Sequence, residues 1–283
     1  MTAAPMRIAR IFPRRTAATP DDALAFTGPP PKTLPDIDEI HVSVTFTYDL
    51  PKAEALAEAW ARTGLPVKLG GPAFNRPGGD FIPGLYLKHG YVITSRGCPR
   101  SCWFCSVPKR EGGNLRELPI TAGHNILDDN LLACSEGHIR DVFSMLKQQE
   151  KRPVFTGGLE AALLRPWHVE LLREVRAARM YFAYDDPRGY EPLVQAGRLL
   201  RDGGITKASH RAACYVLCGF PGDTMDAAEI RFRASWDAGF VPFAMLFRDE
   251  TGVTDPAWVK FQRAWVRPDI VMSMLKNNGQ ETS

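Results

Sequence analysis

Cys98, Cys102 and Cys105 are the residues of this chain best suited by type and spacing to do chemistry. They fall in Cys98-Pro99-Arg100-Ser101-Cys102-Trp103-Phe104-Cys105, directly after the apolar segment Tyr91-Val92-Ile93-Thr94-Ser95-Arg96. Three closely spaced thiolates can hold three irons of a cubane cluster and leave the fourth iron without a protein ligand. A ferredoxin-type run has two-residue gaps and a further cysteine, whereas here the first gap is three residues and no fourth cysteine is near. A structural zinc would need a fourth Cys or His; His89 and His124 are the nearest, and neither has zinc-finger spacing. Thiols buried as small hydrophobes are the third reading, and the preferred one for Cys134, Cys214 and Cys218.

The pattern C-x3-C-x-aromatic-C resembles the signature of the radical S-adenosylmethionine (radical SAM) superfamily, closest to its cobalamin-associated branch. A second segment, Cys218-Gly219-Phe220-Pro221-Gly222-Asp223-Thr224, is similar to that family's fifth-strand turn. The resemblance implies a 4Fe-4S cluster on Cys98, Cys102 and Cys105 and S-adenosyl-L-methionine on the open iron. The expected enzyme cleaves SAM reductively and abstracts hydrogen from a small organic or nucleoside-like substrate, with an electron donor such as flavodoxin or ferredoxin as partner. It also implies site roles. Phe104 borders the adenine; Asp128 or Asp129 meets the methionyl ammonium; Asp185 meets the ribose; the backbone at Val216, Leu217 and Gly219 contacts adenine. Gly158 and Glu160 contact SAM or substrate, or else Glu160 opens a helix. Asn130 reads as a cap. No catalytic side chain is assigned beyond the cofactor ligands. The alternatives are a non-catalytic iron-sulfur or SAM-binding sensor and a nucleic-acid-modifying radical enzyme. The N-terminal region lacks the Asp-x-His-x-x-Gly corrinoid motif.

The 283 residues, 45% of them hydrophobic, can bury a substantial core. No run approaches the roughly 18–20 apolar residues of a membrane span. Arg7, Arg10, Arg14 and Arg15 are not followed by the apolar core of a secretory signal, so a cytoplasmic location is expected. The net charge of +3 is small and the basic residues are dispersed; nucleic acid is allowed as a partner but not indicated.

The elements that must position these residues alternate strand and helix. Residues 6–12 predict a strand and residues 16–38 a proline-rich loop. A β-α-β unit follows, with a strand over 41–47, a helix over 51–62 and a strand over 67–69 ending in Gly70-Gly71. Residues 73–90 read as a linker. Strands are then expected at 91–96, 125–129, 153–156, 180–185, 213–218 and 241–247, with amphipathic helices between the later ones. Ser135 is the expected cap of the first helix; for the last, Asp226-Ala227-Ala228-Glu229 is a candidate capping box and Thr224 a candidate cap. The stretch 106–124 is too rich in Gly and Pro for a long helix. The fold expected is α/β: a partial (β/α)6 TIM-like barrel over 91–247, a small α/β extension over 1–90, and a helix and tail over 248–283.

Overall fold

The computed structural model describes residues 6–266 and residue 271. Two parallel sheets organise them. The first has the order β2-β1-β3-β4, formed by β1 (Ile8–Phe12), β2 (Ala25–Thr27), β3 (Glu39–Ser43) and β4 (Val67–Gly70). Helix α1 (Leu50–Ala61) crosses between β3 and β4, with Pro51 in its first turn, where a missing N–H costs nothing. Its buried residues Ala53, Leu56 and Trp60 recur at three and four positions and cover the sheet. The three-residue strand β2 lies inside the segment expected to be loop. Pairing with β1 creates it, and Phe26 is held against the Trp60 ring, whose Nε1 donates to Gly28 O at 3.0 Å.

The second sheet has six parallel strands in the order β12-β11-β10-β9-β8-β5. They are β5 (Tyr91–Val92), β8 (Asn125–Ile126), β9 (Val154–Phe155), β10 (Arg179–Ala183), β11 (Ala212–Cys218) and β12 (Val241–Leu246). The sheet is open, with β5 and β12 as its edges. Helices α3 (Glu136–Lys147), α4 (Pro166–Glu174), α5 (Tyr190–Asp202) and α6 (Met225–Asp237) fall between successive strands from β8 onward. Each sheet has its own apolar core, one around Trp60 and Ile40, the other around Phe143, Phe155 and Phe182.

The expected strand over 91–96 breaks in two. β5 joins the large sheet, whereas β6 (Ser95–Arg96) pairs antiparallel with β7 (Arg116–Glu117), after the five-residue helix α2 (Val107–Glu111). The break falls at Thr94, whose N–H and hydroxyl both go to Asp128 rather than into a continuous ladder. Ser135 caps α3 as expected, accepting from His138 N. Helix α6 is capped by Thr224, which accepts from Ala227 N, and not by the box at Asp226; Glu229 pairs instead with Arg233 one turn on. Helix α7 (Pro256–Trp265) packs back on the large core through Trp265, stacked on Phe232 with centroids 4.6 Å apart. The polar tail at 276–283 lies outside the described residues. Among those residues no helix is long and apolar enough to cross a membrane.

Candidate functional site

The carboxyl ends of β1, β3 and β4 face one cavity of about 620 Å³. Open parallel sheets bind ligands at this edge because the loops there diverge and leave a crevice. Pro13 and Arg14 follow β1, Thr45 and Phe46 follow β3, and Gly71 follows β4. Gly71 has φ +120°, and a Cβ on it would stand 2.4 Å from Val44 O. Only glycine lets this turn pass so close to β3. The opposite wall is the 74–87 segment, through Phe74, Phe81, Ile82 and Leu85, while Ile93 and Leu127 arrive from the large sheet. The stretch expected as a mere linker therefore builds one wall of the enclosure.

Most cations around this cavity are already paired. Arg14 donates twice to Asp49, at 2.5 Å from both Nε and Nη2, and its guanidinium lies over the Tyr48 ring at 5.0 Å. The Asp49 bond holds the Arg14 pKa above its ordinary value against the opposing effect of burial. Lys68 meets Glu39 at 2.6 Å. Arg110 bonds to both Glu111 and Asp129, and Arg116 to Glu111. Arg96 differs. Its Nε donates to Gly79 O at 3.1 Å, and among the described residues it has no carboxylate within salt-bridge distance. Burial pulls its pKa below the usual arginine value, with Glu111 and Asp129 acting weakly the other way.

The three-cysteine segment is a loop running from Gly97 to Ser106. Its thiols go to separate neighbours: Cys98 Sγ accepts from Arg100 N and Asn130 Nδ2, Cys105 Sγ accepts from Val107 N, and Cys102 is exposed. Among the described residues no group of three or more His, Cys, Asp or Glu side chains is arranged to hold a metal ion. This corrects the expectation drawn from the cysteine spacing. The residues do not fit a 4Fe-4S cluster, and S-adenosyl-L-methionine was expected only on that cluster's open iron. The assignment to the radical SAM superfamily, the SAM-cleaving enzyme and its iron-sulfur and metal-binding character fall together.

The other expected site residues are held mainly by this chain's own groups. Asp128 is 1% exposed and accepts from Thr94 N, Thr94 Oγ1 and Ser95 Oγ at 2.6–2.7 Å. Asp129 accepts from Gly97 N and from Arg110. Asn130 stands at the expected N-cap position, before the 3-10 turn Leu131–Ala133, but its side chain makes no capping bond: its Nδ2 donates to Glu160 at 2.6 Å and to Cys98. Glu160 opens the short 3-10 turn Ala161–Leu163 from its N-cap position, and its side chain also pairs with Arg100, which ties it to the cysteine loop. Gly158 has φ +99°, and a Cβ on it would stand 3.8 Å from Tyr181 O, an ordinary contact, so the backbone conformation rather than crowding favours glycine there. Phe104 packs edge-on against Trp103. Val216 is buried within β11, Leu217 O accepts from Arg231, and Gly219 N donates to Asp223. Cys134, Cys214 and Cys218 are buried; burial pushes the Cys134 and Cys218 thiols up to about 12, which leaves them protonated and unreactive.

Asp185, two residues past the end of β10, accepts from Leu217 N at 2.7 Å. Burial pushes its carboxyl from 3.8 up to about 6, and the Leu217 bond offsets only part of that. Between those two values the folded protein holds more protons than the unfolded chain, so stability falls as pH rises from about 4 to about 6. Asp185→Asn keeps an acceptor for Leu217 N and removes the charge. It is expected to raise unfolding free energy at pH 7.5 by about 1–3 kcal/mol, since one pKa unit is worth about 1.4 kcal/mol. Urea titrations at pH 4 and pH 7.5 check this. The two proteins should converge at pH 4, and equal stability at pH 7.5 would refute the assignment.

Arg96 and Gly71 were visible in the sequence as a loop-flanking arginine and a Gly-Gly turn. Tyr86, Phe81 and Leu85 carried no signal beyond belonging to a Gly/Pro-rich connection. Neither a protein-family model nor a curated protein matches this sequence.

Proposed function

We propose that this chain is a small-molecule binding protein whose ligand occupies the cavity between the two parallel sheets. The observation that carries this is the enclosure itself. Its volume of about 620 Å³ falls within the roughly 300–1,000 Å³ of small-molecule sites, and it opens at the carboxyl edge of β1, β3 and β4. Its walls are mostly apolar, with a few polar groups among them, the composition that binds and orients an organic molecule.

The large sheet is read here as a partial (β/α)6 barrel, supported by its sequential strand order. The division at 1–90, 91–247 and 248–283 then sets the cavity at the junction of the first two parts. A cytoplasmic location is supported by six unpaired thiols, which a reducing compartment preserves. With the cluster gone, an electron-donor partner has no role in this reading.

The test uses N-phenyl-1-naphthylamine, a neutral apolar probe that fluoresces when it leaves water. Thr45 and Leu85 line the cavity without belonging to either buried core. Thr45→Trp and Leu85→Trp should each fill it and weaken probe binding about 10-fold, the equivalent of about 1.4 kcal/mol. Absent binding to the wild-type chain, or undiminished binding to both variants with their circular dichroism intact, would reject the reading.

A further inference from the structure

Resting on the cavity reading above, we infer that the ligand is an organic monoanion, an apolar body bearing one carboxylate-like head, and that Arg96 is the residue that takes the head.

The charges beside the cavity do not balance: Arg96 and Arg110 line it, and Arg116, Glu111 and Asp129 adjoin them. Arg96, Arg110 and Arg116 gather around two carboxylates, Glu111 and Asp129. Glu111 meets Arg110 Nε at 3.0 Å and Arg116 Nη2 at 2.8 Å, and Asp129 meets Arg110 Nη2 at 2.9 Å. Arg96 is the cation left over. Elsewhere on the wall Arg14 is matched by Asp49 and Lys68 by Glu39. Arg76 and Asp80 are exposed at the rim, where water screens their charges. One positive charge therefore remains, on a half-buried guanidinium that borders the cavity.

The guanidinium is also seated. A Cβ at Gly78 would stand 2.6 Å from Arg96 Cζ and 2.7 Å from its Nε and Nη1, so the planar head rests on bare backbone. The Gly79 carbonyl holds Nε. This cradle holds the guanidinium where a side chain at 78 would exclude it. A guanidinium offers two parallel N–H donors that match a carboxylate, and the pair is strongest where water is excluded. An anion arriving at Arg96 neutralises that charge, while Leu69, Phe81, Ile82 and Ile93 cover its apolar body. A cationic ligand would be repelled by the excess charge. A polyanion would need a second unmatched cation inside the enclosure, and the other lining cation without a carboxylate partner among the described residues, Arg76, is exposed at the rim.

The experiment displaces N-phenyl-1-naphthylamine at pH 7.5 with three amphiphiles of equal chain length: decanoate, decanol and decylamine. Decanoate should act at concentrations about 10-fold lower than decanol, with decylamine weakest. In Arg96→Gln the decanoate-to-decanol ratio should fall to near one. Gly78→Ala, which keeps every charge but unseats the guanidinium, should lower the same ratio several-fold. Equal potency of decanoate and decanol on the wild-type chain would overturn the inference, as would an undiminished ratio in both variants, while the cavity reading would stand. Failure of the probe to bind the wild-type chain would instead remove the cavity reading and this one with it.

Discussion

Asp128→Ala is expected to destabilise the fold by about 3–5 kcal/mol, because it strips one buried carboxylate from three donors at once, each worth roughly 1–3 kcal/mol when left unsatisfied. Thr94 N, Thr94 Oγ1 and Ser95 Oγ all point at Asp128, and both residues are 0% exposed. The hydroxyls can rotate to other acceptors, but the backbone N–H cannot. Burial pushes the Asp128 carboxyl above its ordinary pKa, although the Thr94 and Ser95 bonds act against this. The site therefore tolerates a neutral group better than an empty one. Asp128→Asn should cost distinctly less than the alanine variant, since one acceptor oxygen survives. Urea unfolding followed by circular dichroism at pH 7 measures both. An alanine variant within 1 kcal/mol of wild type would show that Asp128 does not hold the break between β5 and β6.

Glu111→Ala is the second large effect, expected at about 3 kcal/mol, the lower end of what removing one partner from a buried ion pair costs. The Glu111 side chain is fully buried and joins three parts of the molecule: Gly78 N on the cavity wall, Arg110 on α2 and Arg116 on β7. Burial alone would raise its pKa, but the bonds from Gly78, Arg116 and Arg110 outweigh it and hold the carboxyl below its ordinary value. The sign follows. The stabilisation is present above the ordinary carboxylate range and is lost as pH falls through the depressed folded value. Arg110 keeps Asp129 and Arg116 is partly exposed, which moderates the loss. Urea unfolding at pH 7 measures the loss, and an alanine variant within 1 kcal/mol of wild type would contradict the role given to Glu111.

The elements were legible where the signal is local. Apolar recurrence at Ile139, Val142, Phe143 and Leu146 marks α3, and those residues are its buried face. Pro51 and Pro166 open α1 and α4. Strand ends were less legible, because a strand stops where its partner stops. β8 and β9 contain two residues each, against expectations of five and four. The strand β2 has no signature of its own and forms because β1 offers it a free edge.

The site was the least legible part, and the cysteines show why. Gaps of three and two residues limit how far apart the α-carbons can lie, but not where each sulfur points. Asn130, Val107 and Arg100 draw Cys98 and Cys105 to separate hydrogen bonds, and no metal-holding group results.

By itself, then, the order of residues determined what neighbours along the chain can settle: the alternation of strand and helix, the helix faces, the caps at Ser135 and Thr224, and the glycine turn after β4. Tertiary structure alone decided which distant groups meet. The cavity draws its wall from segments spread between residues 12 and 127, and the charge left over at Arg96 exists only once Glu111 and Asp129 have been claimed by Arg110 and Arg116. Pairing of that kind depends on distance in space and on how the available partners compete in a buried site, and neither is written in the spacing of residues along a chain.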